Sequence, residues 1–323
     1  MKPNVHQQVR LCVLFIFLTL FTHRSISQSL TLSNGRFEIG LGLGPSFFLG
    51  DLGGNRGEGT TFVKDVNLPL TKLSKGIFLN VFPAEWIGFR FALNHSQLEG
   101  IDSVIKNTGG AEIYRKRRNL TFKSNVTEAY VGMELYPTFF FEKYDGLQFK
   151  LRPYGIIGIG LFRFKPQGIY IEPSGKEKWV DLKPLKLEGQ GMAEYSGRKE
   201  YSLTQLEIPM GLGAKYYLKE SMYVGFEILH RKTFTDYIDD VSTNYIDPLL
   251  FDTYLSPEQA IMARQMMYRE NLHNPSVNRP YINDQRGDPK ENDAFFSSIL
   301  RMGWSINSLG AGISKQLRCP VFY

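Results

Sequence analysis

Hydrophobic and polar residues alternate along several long stretches of the chain, most clearly between Leu203 and Asp240. Every second residue from Leu206 to Tyr216 is apolar, and the residues between them are charged, polar, proline or glycine. A second alternating run begins at Met222, after the short connection 218–221. A period of two is that of a β-strand. The stretch therefore predicts two antiparallel strands joined by a tight turn.

The length of these two runs indicates a membrane barrel. An average strand in a soluble protein has roughly five or six residues, and both runs are much longer. A strand that crosses a bilayer at a tilt needs roughly nine to eleven residues plus its rims. The pattern therefore predicts an all-β transmembrane barrel, with the apolar face toward lipid and the charged, glycine-rich face inward.

The same alternation along the rest of the chain predicts an eight-stranded antiparallel barrel. The other six strands are expected at 36–49, 76–82, 86–100, 120–136, 148–164 and 295–317. Long outer loops are expected at about 51–73, 102–118, 165–199 and 238–294, alternating with short turns. With both termini in the periplasm, every long loop lies outside the cell.

The longest of these loops contains one predicted short helix, at 257–270. Ser256 is a suitable N-cap, Pro257 suits the first helical position, and Gln259 completes a capping box.

The first 27 residues are predicted to be a secretory signal peptide. Lys2 and Arg10 precede an apolar core at 11–21, and small residues at 25–27 precede Gln28. Cleavage near Ser27 would leave a single barrel domain at 28–323 in the outer membrane and lower the formal net charge from +6 to +3. No other run approaches the roughly 20 apolar residues of a membrane-spanning helix.

Composition narrows the class of protein further. Aromatic residues make up 14% of the chain, as aromatic girdles at two membrane interfaces would require. A mature charge this small and dispersed does not indicate nucleic-acid binding. Cys319 is the only cysteine after residue 27, so no internal disulfide is expected, and whether it is free or modified stays open.

The predicted inward faces carry charged residues of both signs. Because side chains fill the interior of an eight-stranded barrel, we expect a salt-bridge network that closes it, with a small ion or proton path as the alternative. The predicted interior charges are Arg36, Glu38, Arg90, Glu128, Glu134, Glu207, Lys215, Glu227, Arg231 and Arg301.

No catalytic or cofactor motif is evident. His95, His230 and His273 lack zinc-type spacing, and neither GxSxG nor HExxH is present. The sequence therefore predicts no enzyme, no cofactor and no metal.

Three acidic residues at the end of the seventh strand are weak candidates for calcium, namely Asp236, Asp239 and Asp240. A solvated acidic rim is the simpler interpretation.

The loops offer candidate contacts with partners. The basic run Arg115, Lys116, Arg117 and Arg118 could bind lipopolysaccharide phosphates or an acidic partner, and an ordinary solvated loop explains it equally well. The tripeptide Arg286-Gly287-Asp288 resembles an adhesion signal but recurs by chance. Residues 50–54, 179–191 and the predicted helix could together form a cap or docking surface.

Several short motifs, taken together in their order along the chain, resemble those of the PorG family. Members of this family are outer-membrane barrels that form part of the type IX secretion apparatus. This resemblance implies an eight-stranded barrel that anchors periplasmic ring proteins or the translocon of a secretion or gliding machine. The 238–294 loop is longer than the family pattern. The motifs are Glu38-Ile39-Gly40, Gly50-Asp51-Leu52-Gly53, Arg118-Asn119-Leu120-Thr121-Phe122, Tyr154-Gly155, Gly158-Ile159-Gly160, Ile208-Pro209-Met210-Gly211-Leu212-Gly213, the run 233–240, and Cys319-Pro320.

Two other functions remain open from the sequence: a narrow passive channel, and a surface protein that binds a ligand through its long outer loops.

Overall fold

The computed structural model describes residues 36–52, 70–84, 86–104, 112–140, 151–219, 221–269 and 282–306. Eight long strands form a closed antiparallel barrel, and two shorter ones, the sixth and seventh, form a hairpin attached to it. The ten strands are β1 (Arg36–Leu49), β2 (Lys72–Ala84), β3 (Ile87–Ile101), β4 (Thr121–Leu135), β5 (Leu151–Arg163), β6 (Pro166–Ile171), β7 (Glu177–Asp181), β8 (Thr204–Lys219), β9 (Met222–Thr233) and β10 (Ala294–Ile306).

The barrel closes because the first and last strands pair with each other. β1 pairs with β2 on one side and with β10 on the other, where Phe37 lies opposite Ile306 and Leu49 opposite Ala294. The remaining neighbours pair in chain order, except that β5 pairs directly with β8. The predicted eight-stranded barrel is thus confirmed.

The two faces of the barrel wall alternate as the sequence predicts. Outward side chains form an apolar belt, in which Ile39 is 50% and Leu212 is 74% exposed. The alternation holds even in β5, where it is weak in the sequence: Ile157 and Ile159 are exposed and Tyr154 is buried. Among the described residues, no helix is long and apolar enough to cross a membrane.

Most predicted strand boundaries agree with the structure. β1 has the predicted bounds, and β2 begins at Lys72 rather than at residue 76. Residues 307–317 of the predicted last strand lie outside the described residues, as do the signal segment 1–27, His273, Cys319 and residues 53–69 and 270–281 of two loops.

The predicted long outer loop at 165–199 contains two short strands that were not predicted, the β6–β7 hairpin. β6 continues the sheet beyond β5, because Phe122 and Lys123 of β4 pair with Gly168 and Gln167. Each of its strands is too short to give a clear alternating pattern.

Within the described part of the long connections lie three α-helices: α1 (Glu112–Arg118), α2 (Leu250–Tyr254) and α3 (Pro257–Met267). α3 is the predicted helix, and its capping box is present. The Gln259 amide nitrogen donates to the Ser256 hydroxyl at 3.3 Å, and the Ser256 amide donates to the Gln259 side chain at 3.2 Å. The helix ends three residues before the predicted residue 270. α1 and α2 were not predicted, since neither exceeds two turns.

Candidate functional site

The barrel has a short-turn end, where β2 meets β3 and β8 meets β9, and a long-loop end, where the long connections lie. The interior toward the short-turn end holds a continuous chain of ion pairs, here called the lumen network. Lys215 Nζ lies 2.9 Å from Glu38 and 3.1 Å from Glu134, and Glu227 lies 2.6 Å from Arg90 and 2.5 Å from Arg301. Its members are Arg36, Glu38, Arg90, Glu134, Lys215, Glu227 and Arg301.

A second group of charges lies nearer the long-loop end. Arg231 binds Glu128 at 2.6 Å, and Asn94 donates to the same carboxylate at 2.5 Å. Glu207 is fully buried beside this group, and neither of its carboxylate oxygens has a hydrogen-bond partner among the described residues.

Aromatic rings fill the space between the lumen charges. The ammonium of Lys215 lies 4.8 Å from the ring centre of Tyr223 and 5.0 Å from that of Phe82. The guanidinium of Arg301 lies 4.8 Å from the ring centre of Phe78. Such contacts favour a desolvated cation.

The structure places all ten predicted interior charges inside the barrel. Nine of them are buried, and the side chain of Arg36, at the short-turn end, is 35% exposed. Paired charges and rings therefore occupy the interior.

At the long-loop end, the four long connections fold together into a cap, comprising the described residues of 50–52, 102–120, 164–203 and 234–293. The cap has its own hydrophobic core, to which every connection contributes a side chain, including Leu52, Leu120, Leu187 and Val241. The predicted cap is therefore present as a packed unit.

Two buried arginines join the four connections. Arg118 donates to the Asp102 carboxylate at 2.8 Å, to the Asp51 carbonyl at 2.7 Å and to the Arg286 carbonyl. Arg286 donates to the Glu188 carboxylate at 2.7 Å and to the Asp240 carbonyl at 2.6 Å. Each arginine therefore contacts more than one connection.

These contacts correct two expectations about the cap surface. Arg118 is buried, whereas Lys116 and Arg117 are exposed, so the predicted basic run is not a single surface. Burial of Arg286 likewise removes it from any exposed adhesion tripeptide. Sequence reasoning missed these roles because a buried arginine and a solvated one leave the same pattern in a polar loop.

The carboxylates predicted to form a solvated acidic rim are buried instead. Asp239 accepts hydrogen bonds from the Leu52 amide at 3.0 Å and the Val241 amide at 2.9 Å. Asp240 accepts from the Tyr201 hydroxyl at 2.6 Å. The described residues contain no group of three or more side chains that could hold a metal ion. Asp236, Asp239 and Asp240 therefore act within the cap, and the solvated-rim interpretation is wrong.

Two further acids, which the sequence did not single out, belong to the same region. Asp293 accepts from the Ile238 amide at 2.7 Å, and Glu188 accepts from the Ser242 amide at 3.0 Å. One oxygen of Asp293 and one of Asp236 have no hydrogen-bond partner among the described residues. The sequence feature that could have pointed to a specific structure around Glu188 is the pair of glycines after it, Gly189 and Gly191, both of which have positive φ.

Burial makes these acids hard to ionise. It raises the pKa of Asp51 to about 6 and that of Asp240 to about 7. Burial, followed by the charge of Asp51, raises the pKa of Asp236 to about 9. The pKa values of Asp239 and Asp293 are also raised well above the ordinary value, by burial first and then by neighbouring acids. Asp236 is therefore a neutral acid near pH 7.

The described histidines lie on strands of the barrel wall. His95 is on the outward face of β3, with its Nδ1 3.0 Å from the Thr127 hydroxyl, and His230 is on β9. The absence of an enzymatic activity stays a prediction.

Comparison with known proteins gives a similarity of fold. No family model matches the chain, and no curated protein matches it. Solved structures that resemble it include OprG of Pseudomonas aeruginosa (11% identity, 85% of this chain, 97% of that chain, TM-score 0.37). Others are the attachment invasion locus protein Ail of Yersinia pestis bound to a heparin analogue (7%, 84%, 98%, 0.34) and a major outer membrane protein of Thermus thermophilus (11%, 84%, 99%, 0.34). Similarity at this level says nothing about function, and membership of the PorG family is not confirmed.

Proposed function

We propose that this chain is a structural outer-membrane barrel that serves as an interaction component and does not conduct solutes. The observation that carries this proposal is the occupied interior. A chain of ion pairs runs from Arg36 through Lys215 to Arg301, and the cap covers the other end. Opening a path would require separating buried charges, each of which costs several kcal/mol to leave unpaired, by a rough estimate.

The more specific role that we propose is that of a PorG-like anchor in a type IX secretion or gliding apparatus. Several residues of the motifs behind that resemblance build the interior and the cap. Glu38 bridges Arg36 and Lys215, Tyr154 donates to Glu227, and Arg118 joins the connections of the cap.

The proposed arrangement places the long loops outside the cell and the short turns in the periplasm. Partners of the anchor would then be periplasmic secretion-ring proteins or the translocon at the short-turn end, with lipid and lipopolysaccharide around the barrel.

A clean deletion strain tests the secretion role. The expected result is that type IX cargo accumulates in the periplasm and that the wild-type gene restores export. Normal export in the deletion strain would rule out this role. A tagged-protein pull-down in mild detergent would separately identify ring proteins or translocon subunits that bind the barrel.

Planar bilayer recording tests the rival channel function. The expected result is no discrete conductance, because the interior is filled with side chains. Reproducible single-channel steps from protein with an intact cap would favour the conduit.

The packed cap gives a second candidate function, which is ligand binding at the cell surface. Connections that share a hydrophobic core present a fixed outer surface. Deleting residues 247–292 should abolish such binding and leave the barrel assembled. A ligand that binds the deletion variant equally well would contradict the surface role.

A further inference from the structure

Among the described residues, positive charge is in excess inside the short-turn end of the barrel. The lumen network joins four cations to three carboxylates. Arg152, the first inward-facing residue of β5, adds a fifth cation. Toward the cap the balance reverses, because Glu128 and Glu207 face a single arginine, Arg231.

Arg152 has no acidic partner among the described residues. It makes no hydrogen bond or ion pair there, and its Nε is buried without an acceptor. Its neighbour across the β5–β8 pairing is Lys215, which is another cation. Like charges placed directly opposite one another in a sheet repel. Arg152 is therefore a cation for which the described residues supply no counter-charge.

Arg36 lies with Arg152 at the mouth of the barrel, that is, at the opening of its short-turn end. The two guanidinium carbons lie 5.7 Å and 5.0 Å from the ring centre of Tyr217. Arg36 is also bound to Glu38 and to the Tyr217 hydroxyl. Both arginines are partly exposed, because each is the first inward residue of its strand at the short-turn end.

We propose that the short-turn mouth of the barrel is an oxyanion-binding site, in which Arg152 and Arg36 bind a phosphate or carboxylate group. A guanidinium held against an aromatic ring keeps its planar N–H edges available for two parallel hydrogen bonds. The bound anion would also offset the repulsion between Arg152 and Lys215. The inference goes beyond the proposed function, because the site can be measured on purified protein whether or not the chain takes part in secretion.

The test is a titration of the full mature protein in an uncharged maltoside detergent. Inorganic phosphate or acetate is compared with chloride at matched ionic strength, by calorimetric titration and by thermal melting. Wild-type protein should show saturable binding of phosphate, and its Tm should rise with phosphate concentration, because a ligand that binds only the folded state stabilises it. An equal response to acetate would show that a planar carboxylate also fits, whereas a response to phosphate alone would assign the site to phosphate groups.

Substitutions identify the residue responsible. Arg152→Gln should lose the phosphate-dependent rise in Tm. Its Tm in chloride should equal or exceed that of wild type, since no carboxylate is left unpaired. Arg152→Lys should keep a reduced rise, because it retains the charge but not the planar fork, and it serves as the second variant should Arg152→Gln fail to fold. Lys178→Gln removes an exposed lysine from the β6–β7 hairpin and should behave as wild type.

Two results would overturn the proposal. One is a phosphate response in Arg152→Gln equal to that of wild type, which would place any anion binding elsewhere. The other is a wild-type protein that responds to neither anion beyond chloride.

Discussion

Arg118 and Asp102 form a two-pronged ion pair inside the cap. The Nε and Nη2 atoms of Arg118 donate to the two oxygens of the Asp102 carboxylate at 2.8 Å and 3.1 Å. The same carboxylate accepts from the Leu120 amide at 3.1 Å, and the Asp102 amide donates to the Leu120 carbonyl at 3.0 Å. The second long connection is therefore closed at its base by a buried pair.

Removing this arginine should destabilise the cap. Arg118→Ala would remove the two-pronged ion pair with the buried Asp102 carboxylate, and removing one partner of a buried pair costs about 3 to 5 kcal/mol. Hydrogen–deuterium exchange should show faster exchange of the Leu120 and Leu52 amides. Lys116→Ala, two positions away on the exposed surface, is the control and should change neither amide. Equal exchange in both variants would contradict a locking role for Arg118.

The stability of the cap should decrease as pH rises. The folded-state pKa values of Asp51, Asp240 and Asp236, about 6, 7 and 9, all exceed the ordinary aspartate value. An acid with a raised folded-state pKa binds its proton more tightly when folded, so stability falls with pH. The contribution is therefore complete below about pH 4, where the unfolded acids are also protonated, and is lost toward about pH 9. Arg118 and Arg286 oppose this loss but are fewer than the acids that surround them.

Asp236→Asn tests this assignment. One oxygen of Asp236 has no hydrogen-bond partner among the described residues, so an amide can replace the carboxyl at small structural cost. The variant should be more resistant to protease than wild type at pH 9, and its resistance should change less between pH 5 and pH 9. Asp252→Asn, on the exposed side of α2, should keep the wild-type slope. A slope unchanged by Asp236→Asn would show that other groups set the pH dependence.

Neutralising one lumen carboxylate should weaken the barrel. Glu227→Gln would remove the carboxylate that binds both Arg90 and Arg301. The expected loss in the free energy of unfolding is about 3 to 5 kcal/mol, because a buried charge loses its partner. Urea unfolding in detergent, followed by tryptophan fluorescence, measures the change in midpoint. Glu291→Gln, at an exposed position of the cap, is the control. A midpoint equal to that of wild type would mean that the lumen network contributes little to stability.

A glycine in the third connection is required by backbone geometry. Gly189 has a φ of +76°, and a Cβ there would lie 2.7 Å from the ring of Tyr195. Gly189→Ala should therefore cost about 1 to 2 kcal/mol for the left-handed conformation alone. Gly197→Ala is the matched control, because no atom lies within 4 Å of its added Cβ. Thermal melting of the two variants should differ, and a Gly189→Ala protein as stable as Gly197→Ala would contradict the argument.

Alternation of residue types was sufficient to predict the barrel wall. A strand with one face in an apolar environment and one in a packed interior repeats every two residues, so β1 and the β8–β9 hairpin could be located from the sequence. The inward position of Glu38 or Lys215 follows from the same periodicity. Their partners do not, because Glu38 and Lys215 are 177 positions apart and meet only when the barrel closes.

The cap could be predicted only in outline. Ser256 and Gln259 were sufficient to predict the start of α3, because a capping box is a local sequence signal. The burial of Arg118 and Asp239 depends on contacts among all four connections, and no local pattern distinguishes a polar residue in such a core from one in water. Arg152 was missed for another reason: the interpretation of the interior as neutralised ion pairs gave no cause to look for an unpaired cation.

The contact between Asp51 and Asp288 has a consequence for how the molecule assembles. The Asp288 amide donates to Asp51 at 2.8 Å across 237 positions of the chain, and Leu52 donates to Asp239 across 187. Contacts between such distant residues form slowly, since the entropy of closing so long a segment must first be overcome. The pairing of β1 with β10 closes a segment of similar length, since Leu49 lies opposite Ala294. Docking of the first connection onto the fourth and closure of the barrel therefore bring together the same two distant parts of the chain, and each reduces the entropic cost of the other.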